Sequence, residues 1–272
     1  MALSAVPSTL RTPLAARALG DALFPAVAVD DAYAGAALQA LGDDGKLWLR
    51  DCQSVYGVLA RTRAFCDLAQ KFLVEHPDAH LVNLGCGLSH YFQWLDNGRA
   101  RMTDADLAEV LPLRKALVPV APARHELLAV DLVSTDWWDA LHLPAKPSGA
   151  PVFLMAEGVL MYLEPAGVQA LLRTFGERAP AGSVLAFDAM CWLVMGRAKQ
   201  HPSVRHTEAE FRWGPRKLGE LVAASPRLRL AGTHRVMEGY GLPYSWLGPA
   251  FRWVLRVPFY ALYELRTEDV GG

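Results

Sequence analysis

His80-Leu81-Val82-Asn83-Leu84-Gly85-Cys86-Gly87-Leu88-Ser89-His90 reads as a buried strand, a tight turn and the start of a helix. A short apolar run breaks into Gly-x-Gly, and a helical pattern follows. Glycine at Gly85 and Gly87 keeps side chains out of the way of a ligand approaching the backbone. Free N–H groups and the positive end of a helix dipole make such a turn a seat for a carboxylate or phosphate. A plain strand-to-helix turn has the same appearance, so the motif alone is weak. The third glycine of the dinucleotide fingerprint is missing, since His90 stands three positions after Gly87.

Upstream of this stretch the chain reads as helical. Leu10, Leu14 and Ala18 mark a short helix over residues 9–19 with Pro13 in its first turn. Asp30-Asp31 suits the N-terminal end of a second helix running to Leu41. Val55, Leu59, Phe65, Leu68 and Phe72 recur at helical spacing over residues 54–74, and His76-Pro77 ends that helix.

Downstream the rhythm changes to strands alternating with helices. Strands are predicted at 81–84, 100–103, 125–130, 152–156 and 183–187, with helices at 89–95, 107–117, 136–141 and 165–178. Beyond Asp188 the pattern suggests a helix to Gln200, a loop over 201–212, a helix near 217–224, and last strands at 227–231 and 260–265. Such alternation implies parallel β-α-β units with helices on both faces of one sheet. The fold class is therefore α/β, a single domain over 1–272 with a helical N-terminal extension (1–76) and a partly covering segment (189–256).

In an open parallel sheet, ligands bind beyond the carboxyl ends of the strands. Gly85, Cys86 and Gly87 follow the first strand. Asp104 and Asp106 follow the second, Asp106 lying 19 positions after Gly87, the spacing at which an acid reaches a ribose hydroxyl pair. Asp131-Leu132 follows the third, an acceptor beside an apolar wall that suits an adenine ring. Glu157-Gly158 follows the fourth, with Tyr162 one turn on. Asp106 or Asp136 could each be a mere helix cap. Glu157, after five apolar residues, needs a partner. Four successive strand ends of this kind suggest a nucleoside without phosphate. S-adenosylmethionine fits, its adenosine meeting the acids and its carboxylate the glycine turn plus a cation.

Composition excludes several classes. The chain is 52% hydrophobic and 20% charged with a formal net charge of −1, which gives no basic excess for a nucleic-acid partner. Cys52, Cys66, Cys86 and Cys191 have neither metal-ligand nor redox spacing, so no metal is expected and a reducing cytoplasm is the simple reading. No signal peptide and no membrane-spanning run is read; the aromatic-rich stretch 242–263 is broken by Arg252, Arg256 and prolines and reads as a packed or substrate-covering segment.

At this point the residues become recognisable. Val82-Asn83-Leu84-Gly85-Cys86-Gly87-Leu88 resembles the first motif of the leucine carboxyl methyltransferase superfamily. Asp106-Leu107-Ala108-Glu109-Val110 followed by Arg114-Lys115 resembles the second. Asp131-Leu132 with Asp136-Trp137, and the block Ala156-Glu157-Gly158-Val159-Leu160-Met161-Tyr162-Leu163, resemble the next two. Thr9-Leu10 with Pro13-Leu14 and Ala16-Arg17-Ala18, and His201-Pro202 with Phe211-Arg212-Trp213-Gly214, resemble the bacterial branch typified by the tetracenomycin polyketide O-methyltransferase.

The resemblance implies a Rossmann-like class I methyltransferase fold: a seven-stranded, mostly parallel sheet whose last strand is antiparallel, under a substrate cap. It implies that Arg61 meets the methionine carboxylate, Gly85, Cys86 and Gly87 form the turn, and Asp106 with Leu107 holds the ribose. Asp131 and Leu132 would contact adenine, Glu157 the methionine part, and Tyr162 the acceptor. Two departures stand out: Ser89-His90-Tyr91 replaces the Asp-Thr-Arg of many members, and Cys66 replaces an aspartate.

The expected function is S-adenosylmethionine-dependent O-methyl transfer to a carboxylate or phenol of a small, aromatic or polyketide-like metabolite. A carboxylate needs only orienting, by Tyr162 with Arg61, Arg205 or Arg212. A phenol would gain from a base, for which His90, His201 and His206 are candidates. Three rivals stand beside this reading: a protein C-terminal carboxyl methyltransferase, an NAD-dependent oxidoreductase and a non-catalytic cofactor-binding protein.

Overall fold

The computed structural model describes residues 8–120, 123–144, 149–196 and 210–269. Seven strands form one sheet: β1 (His80–Leu84), β2 (Arg101–Asp106), β3 (His125–Ala129), β4 (Val152–Ala156), β5 (Val184–Met190), β6 (Leu228–Arg235) and β7 (Tyr260–Thr267). Their order across the sheet is β3-β2-β1-β4-β5-β7-β6, and β7 runs antiparallel to both its neighbours. The central strand β4 is buried along its whole length, and from Leu81 onward so is β1, which is why both read as unbroken apolar runs. The edge strands β3 and β6 are only partly buried.

The helices are α1 (Ser8–Leu19), α2 (Ala34–Ala40), α3 (Cys52–Glu75), α4 (Phe92–Leu95), α5 (Leu111–Leu117), α6 (Trp137–Ala140), α7 (Pro165–Arg178) and α8 (Tyr244–Leu255). They cover both faces. On one, Leu171, Leu172 and Phe175 of α7 pack with Trp137 and Trp138 against β1, β4 and β5. On the other, Phe65, Leu68 and Phe72 of α3 pack against Leu81, Phe153 and Met155. Asp51 caps α3 by accepting from the Ser54 N–H. Pro165 opens α7 at a position where its missing N–H costs nothing.

Several expectations change. Pro13 lies inside α1, well past its first turn. The second helix starts at Ala34, although Asp31 serves it by accepting from the N–H groups of Tyr33 and Ala34 (both 3.0 Å). The predicted helix over 89–95 shrinks to four residues and that over 107–117 begins at Leu111, because the chain first makes tight turns in which the Ser89 N–H donates to the Cys86 carbonyl and the Val110 N–H to that of Leu107 (both 2.9 Å). No helix follows Asp188 directly: β5 continues to Met190, held in register by Asp188↔Leu262 and Met190↔Tyr260, and a 3-10 turn Trp192–Val194 comes next. Residues 197–200 of that predicted helix, with 201–209 of the loop, lie outside the described residues. The helix near 217–224 is only a 3-10 turn, Leu218–Leu221. The helix α8 was not foreseen. Among the described residues, no helix is long and apolar enough to cross a membrane.

Candidate active site

The strand order reverses between β1 and β4, and a cavity of about 670 Å³ opens beyond their carboxyl ends. The ten residues assigned to the cofactor and the acceptor all line it: Arg61, Gly85, Cys86, Gly87, Asp106, Leu107, Asp131, Leu132, Glu157 and Tyr162; Asp104 and His90 do not. The N-terminal extension also contributes, through Leu10, Pro13 and Arg17 of α1, and the covering segment through Arg212 and Tyr244.

The turn itself is built differently from the expectation. Gly85 and Gly87 have φ of +64° and +48°, the left-handed region that side-chain-bearing residues avoid. A Cβ on Gly85 would stand 2.5 Å from Val159 Cγ2, and one on Gly87 2.9 Å from Leu10 Cδ2. The glycines are thus demanded by backbone and packing as well as by ligand access. Nor is the turn a row of free donors. The Cys86 N–H donates to the Ala105 carbonyl (3.0 Å), Gly87 N–H to Asp106 Oδ2 (2.7 Å), and Ser89 N–H to the Cys86 carbonyl (2.9 Å). With α4 only four residues long, little helix dipole points at the turn.

Two buried arginines hold the carbonyl side of the turn. Arg114 of α5 donates to the carbonyls of Gly87 (2.7 Å) and Cys86 (3.4 Å), and Arg17 of α1 to that of Leu88 (3.2 Å). Arg114 is fully buried and paired with Asp104, which also accepts from Asn83 (2.9 Å) and bonds His125 Nε2 (2.6 Å). Burial opposes the Asp104 charge, but Arg114 and then His125 outweigh it and hold the carboxyl below its usual range. His90, Asp104 and His125 thus come together behind the turn, the one trio of buried ligand-type groups among the described residues. Sequence reading had Arg114 only as part of a motif and missed this brace. A basic residue one helix after two strand-end acids was the available signal.

Asp106 is the last residue of β2, five positions before α5 begins, so the helix-cap alternative fails for it. It accepts from Gly87 and Leu107 N–H groups (2.7 and 2.8 Å), yet burial dominates and raises its pKa. Asp131 Oδ1 accepts from the Val133 N–H (3.0 Å) beside buried Leu132. Asp136 precedes α6 without a side-chain capping bond.

At the centre of the cavity wall, Arg61 of α3 is already engaged. Its Nε donates to Glu157 Oε1 (2.8 Å), and its Nη1 to Tyr260 Oη (3.1 Å) and Asp188 Oδ2 (3.4 Å). Glu157 also accepts from Tyr91 Oη (2.6 Å). Asp188 accepts from the Gly158 N–H (2.6 Å) and from Tyr260 Oη. Gly158, at φ +67°, leaves room for the guanidinium: a Cβ there would stand 3.3 Å from Arg61 Nη2. Burial penalises Glu157, but Arg61 and then Arg17 outweigh it and lower its pKa; at Asp188 burial wins and the pKa rises. Asp188 was not singled out from sequence, although it stands near a strand end as Glu157 does. Tyr91, one of the departures from the family pattern, is therefore a partner of Glu157.

Tyr162 ends the 3-10 turn Leu160–Tyr162 and packs against Phe211, their ring centroids 5.6 Å apart and their planes tilted by 33°. Burial pushes its phenol up to about 12, so it stays protonated at neutral pH. His90 is corrected as a candidate base: it is buried behind the turn against His125, lies off the cavity wall, and burial lowers its pKa to about 4. Cys66 is buried, and burial raises its thiol pKa, so it stands as a neutral group. Arg205, His201 and His206 lie outside the described residues.

The backbone requirement at Gly85 is testable. Gly85→Ala is expected to destabilise the fold by more than the roughly 1–2 kcal/mol of a left-handed alanine, because Val159 blocks the new methyl. Gly42→Ala, at φ +65° with open space around it, is the control. Urea unfolding of both variants reads the difference, and equal losses would remove the Val159 contact from the account.

Comparison with known proteins places this geometry. Residues 2–176 match the model of the leucine carboxyl methyltransferase family, and the chain belongs to that family. Among individual relatives, it is 28% identical to the tetracenomycin polyketide synthesis O-methyltransferase of Streptomyces glaucescens over 94% of both chains. It is 30% identical to a protein of Mycolicibacterium vanbaalenii named for S-adenosyl-L-methionine-dependent methyl transfer, over 69% of this chain and 68% of that one. A methyltransferase structure from Thermobifida fusca superposes with a TM-score of 0.56 at 16% identity, covering 97% of this chain and 96% of the other, which speaks for the fold alone.

Proposed function

We propose that this chain is an S-adenosylmethionine-dependent O-methyltransferase acting on a small aromatic or polyketide-like metabolite. The observation that carries the reading is the charge of the cavity wall. Asp51, Asp106, Asp131, Glu157 and Glu210 line it, and each lining arginine already has a carboxylate: Arg17 has Asp31, Arg61 has Glu157 and Asp188, and Arg212 has Glu164. Such a wall suits a cationic nucleoside and opposes the pyrophosphate of a dinucleotide. The cavity lies within the size range of sites for ligands of this kind.

In this reading Asp106 holds the ribose hydroxyls, Asp131 and Leu132 the adenine, and Gly85, Cys86, Gly87 and Leu107 the floor beneath them. Arg61 and Glu157 hold the methionine part. The bound cofactor supplies an electrophilic methyl group. The chain's work is to align an acceptor oxygen and exclude water, which Tyr162 does as a protonated donor and Arg61 as a fixed charge. Among the described residues no histidine lines the cavity. A carboxylate acceptor, ionised at neutral pH, needs none, whereas a phenol would call on His201 or His206. The relative from Streptomyces glaucescens, named for polyketide O-methylation and alike end to end, supports the metabolite class.

Calorimetry is the first test. S-adenosylmethionine should bind the wild type, and Asp106→Ala should weaken it about tenfold or more, the loss of a charge-assisted pair of hydrogen bonds. No binding to the wild type, or unchanged affinity in the variant, would refute the assignment. Methyl transfer from labelled cofactor to a panel of aromatic acids and phenols then reads the acceptor.

A further inference from the structure

Asp188 has no place in the functional scheme so far, yet it is fully buried where β5, β7 and α3 meet. Its two oxygens take three donors: the Gly158 N–H, Tyr260 Oη and Arg61 Nη1. Donors on every side favour the ionised form. Glu157, on the same guanidinium, is likewise surrounded by Arg61, Tyr91 and Thr62 (3.4 Å from its hydroxyl). The remaining titratable neighbours are neutral: burial keeps Tyr91, Tyr260, Tyr162 and Cys66 protonated. Arg17, the next cation acting on Glu157, is paired with Asp31 at 3.0 Å. One arginine therefore faces two carboxylates, and this cluster, with Arg61 and Glu157 on the cavity wall and Asp188 behind them, carries one negative charge more than positive.

The proposed cofactor has the opposite excess. Its sulfonium and ammonium exceed its carboxylate by one positive charge. When a lone pair of the acceptor oxygen forms the O–CH3 bond, the C–S bond breaks and its electron pair stays on sulfur. The product is a neutral thioether, S-adenosylhomocysteine, with no net charge.

We infer that Asp188, held in place by Tyr260 and the Gly158 N–H, is a positioning residue that makes this site distinguish the charged methyl donor from its neutral product, acting through Arg61. The inference rests on the function proposed above. It assigns the unmatched acid of the cluster a purpose: its charge is matched before transfer and unmatched after, which favours product departure.

The test is calorimetric and needs no turnover. S-adenosylmethionine, the positively charged analogue sinefungin and S-adenosylhomocysteine are titrated into wild type and Asp188→Asn, which keeps the shape and removes the charge. The variant should lose roughly tenfold in affinity for both charged ligands relative to the neutral one, as expected for one charge pair at several ångströms inside a protein. Equal losses for all three ligands would mark a merely structural role and overturn the inference, as would no change. Tyr260→Phe is the second variant, since it strips a hydrogen bond from Asp188 and leaves the charge. It should preserve the preference for the charged ligands or strengthen it, and a fall in that preference would also overturn the inference. Failure of the wild type to bind any of the three would instead defeat the proposed function.

Discussion

Arg114→Met should destabilise the protein by about 3–5 kcal/mol, the usual cost of removing one partner from a buried ion pair. Arg114 and Asp104 are both fully buried, so the carboxylate left behind has no water and only Asn83 and His125 for partners. The carbonyls of Gly87 and Cys86 lose their donor at the same time. Methionine fills similar volume, which keeps cavity effects small. Denaturant unfolding would read the loss, and a change under 1 kcal/mol would show that Asn83 and His125 suffice for Asp104. The pH dependence has a definite sign. Because Asp104 is held below its unfolded value of about 3.9, it contributes stability above that pH and loses it as pH falls through the lower folded value. Without Arg114 that contribution disappears, so the variant's deficit should be large at neutral pH and shrink on acidification below about pH 4.

Arg61→Met is the second large effect, and it should strike both stability and ligand binding. Glu157 and Asp188 would share a buried pocket without their common cation, at a cost of about 3–5 kcal/mol. Cofactor affinity should fall by two orders of magnitude or more if Arg61 anchors the methionine part as proposed. In the wild type, Glu157 is depressed and contributes stability that is lost as pH falls below its unfolded range of about 4.3, while Asp188 is raised and is relieved by protonation. In the variant the largest opponent of burial is gone and only Arg17 and the donors Tyr91, Tyr260 and the Gly158 N–H remain against it, so both acids are expected to bind protons more tightly than in the unfolded chain. Its stability should therefore rise from pH 8 to pH 5, and urea midpoints at the two values would check this. A flat profile would mean that one acid had found another partner.

The sheet and most of the cavity wall were legible in the sequence because each depends on local pattern. Val152–Ala156 and Pro165–Arg178 were placed to the residue, since an unbroken apolar run and a proline-started amphipathic helix are self-contained signals. The acids after β2, β3 and β4 followed from the rule that strand ends face the ligand. What escaped depends on partners far along the chain. Asp188 looked like the end of a strand, because a carboxylate in a buried run is costly until Tyr260, Arg61 and the Gly158 N–H are brought to it from 72, 127 and 30 positions away. α8 was hidden by Pro249, which lies inside it, and by its apolar composition, which fits a strand as readily as a helix. The donors of the glycine turn were misjudged for the same reason: nothing local says that Ala105 and Asp106 will already have claimed two of them.

The bracing of the turn by Arg17 has a consequence for how the molecule breathes. Arg17 belongs to the first helix, is buried, and ties Leu88 at the turn to Asp31 before α2, while Leu10 rests close to Gly87 on the same helix. Fraying of α1 from its neighbours therefore unmakes one side of the ligand cavity, and a seated ligand opposes that fraying by mass action. The N-terminal helix is thus not an appendage to the sheet but part of the cavity wall, and for the function proposed here its local opening and the release of ligand draw on the same free energy.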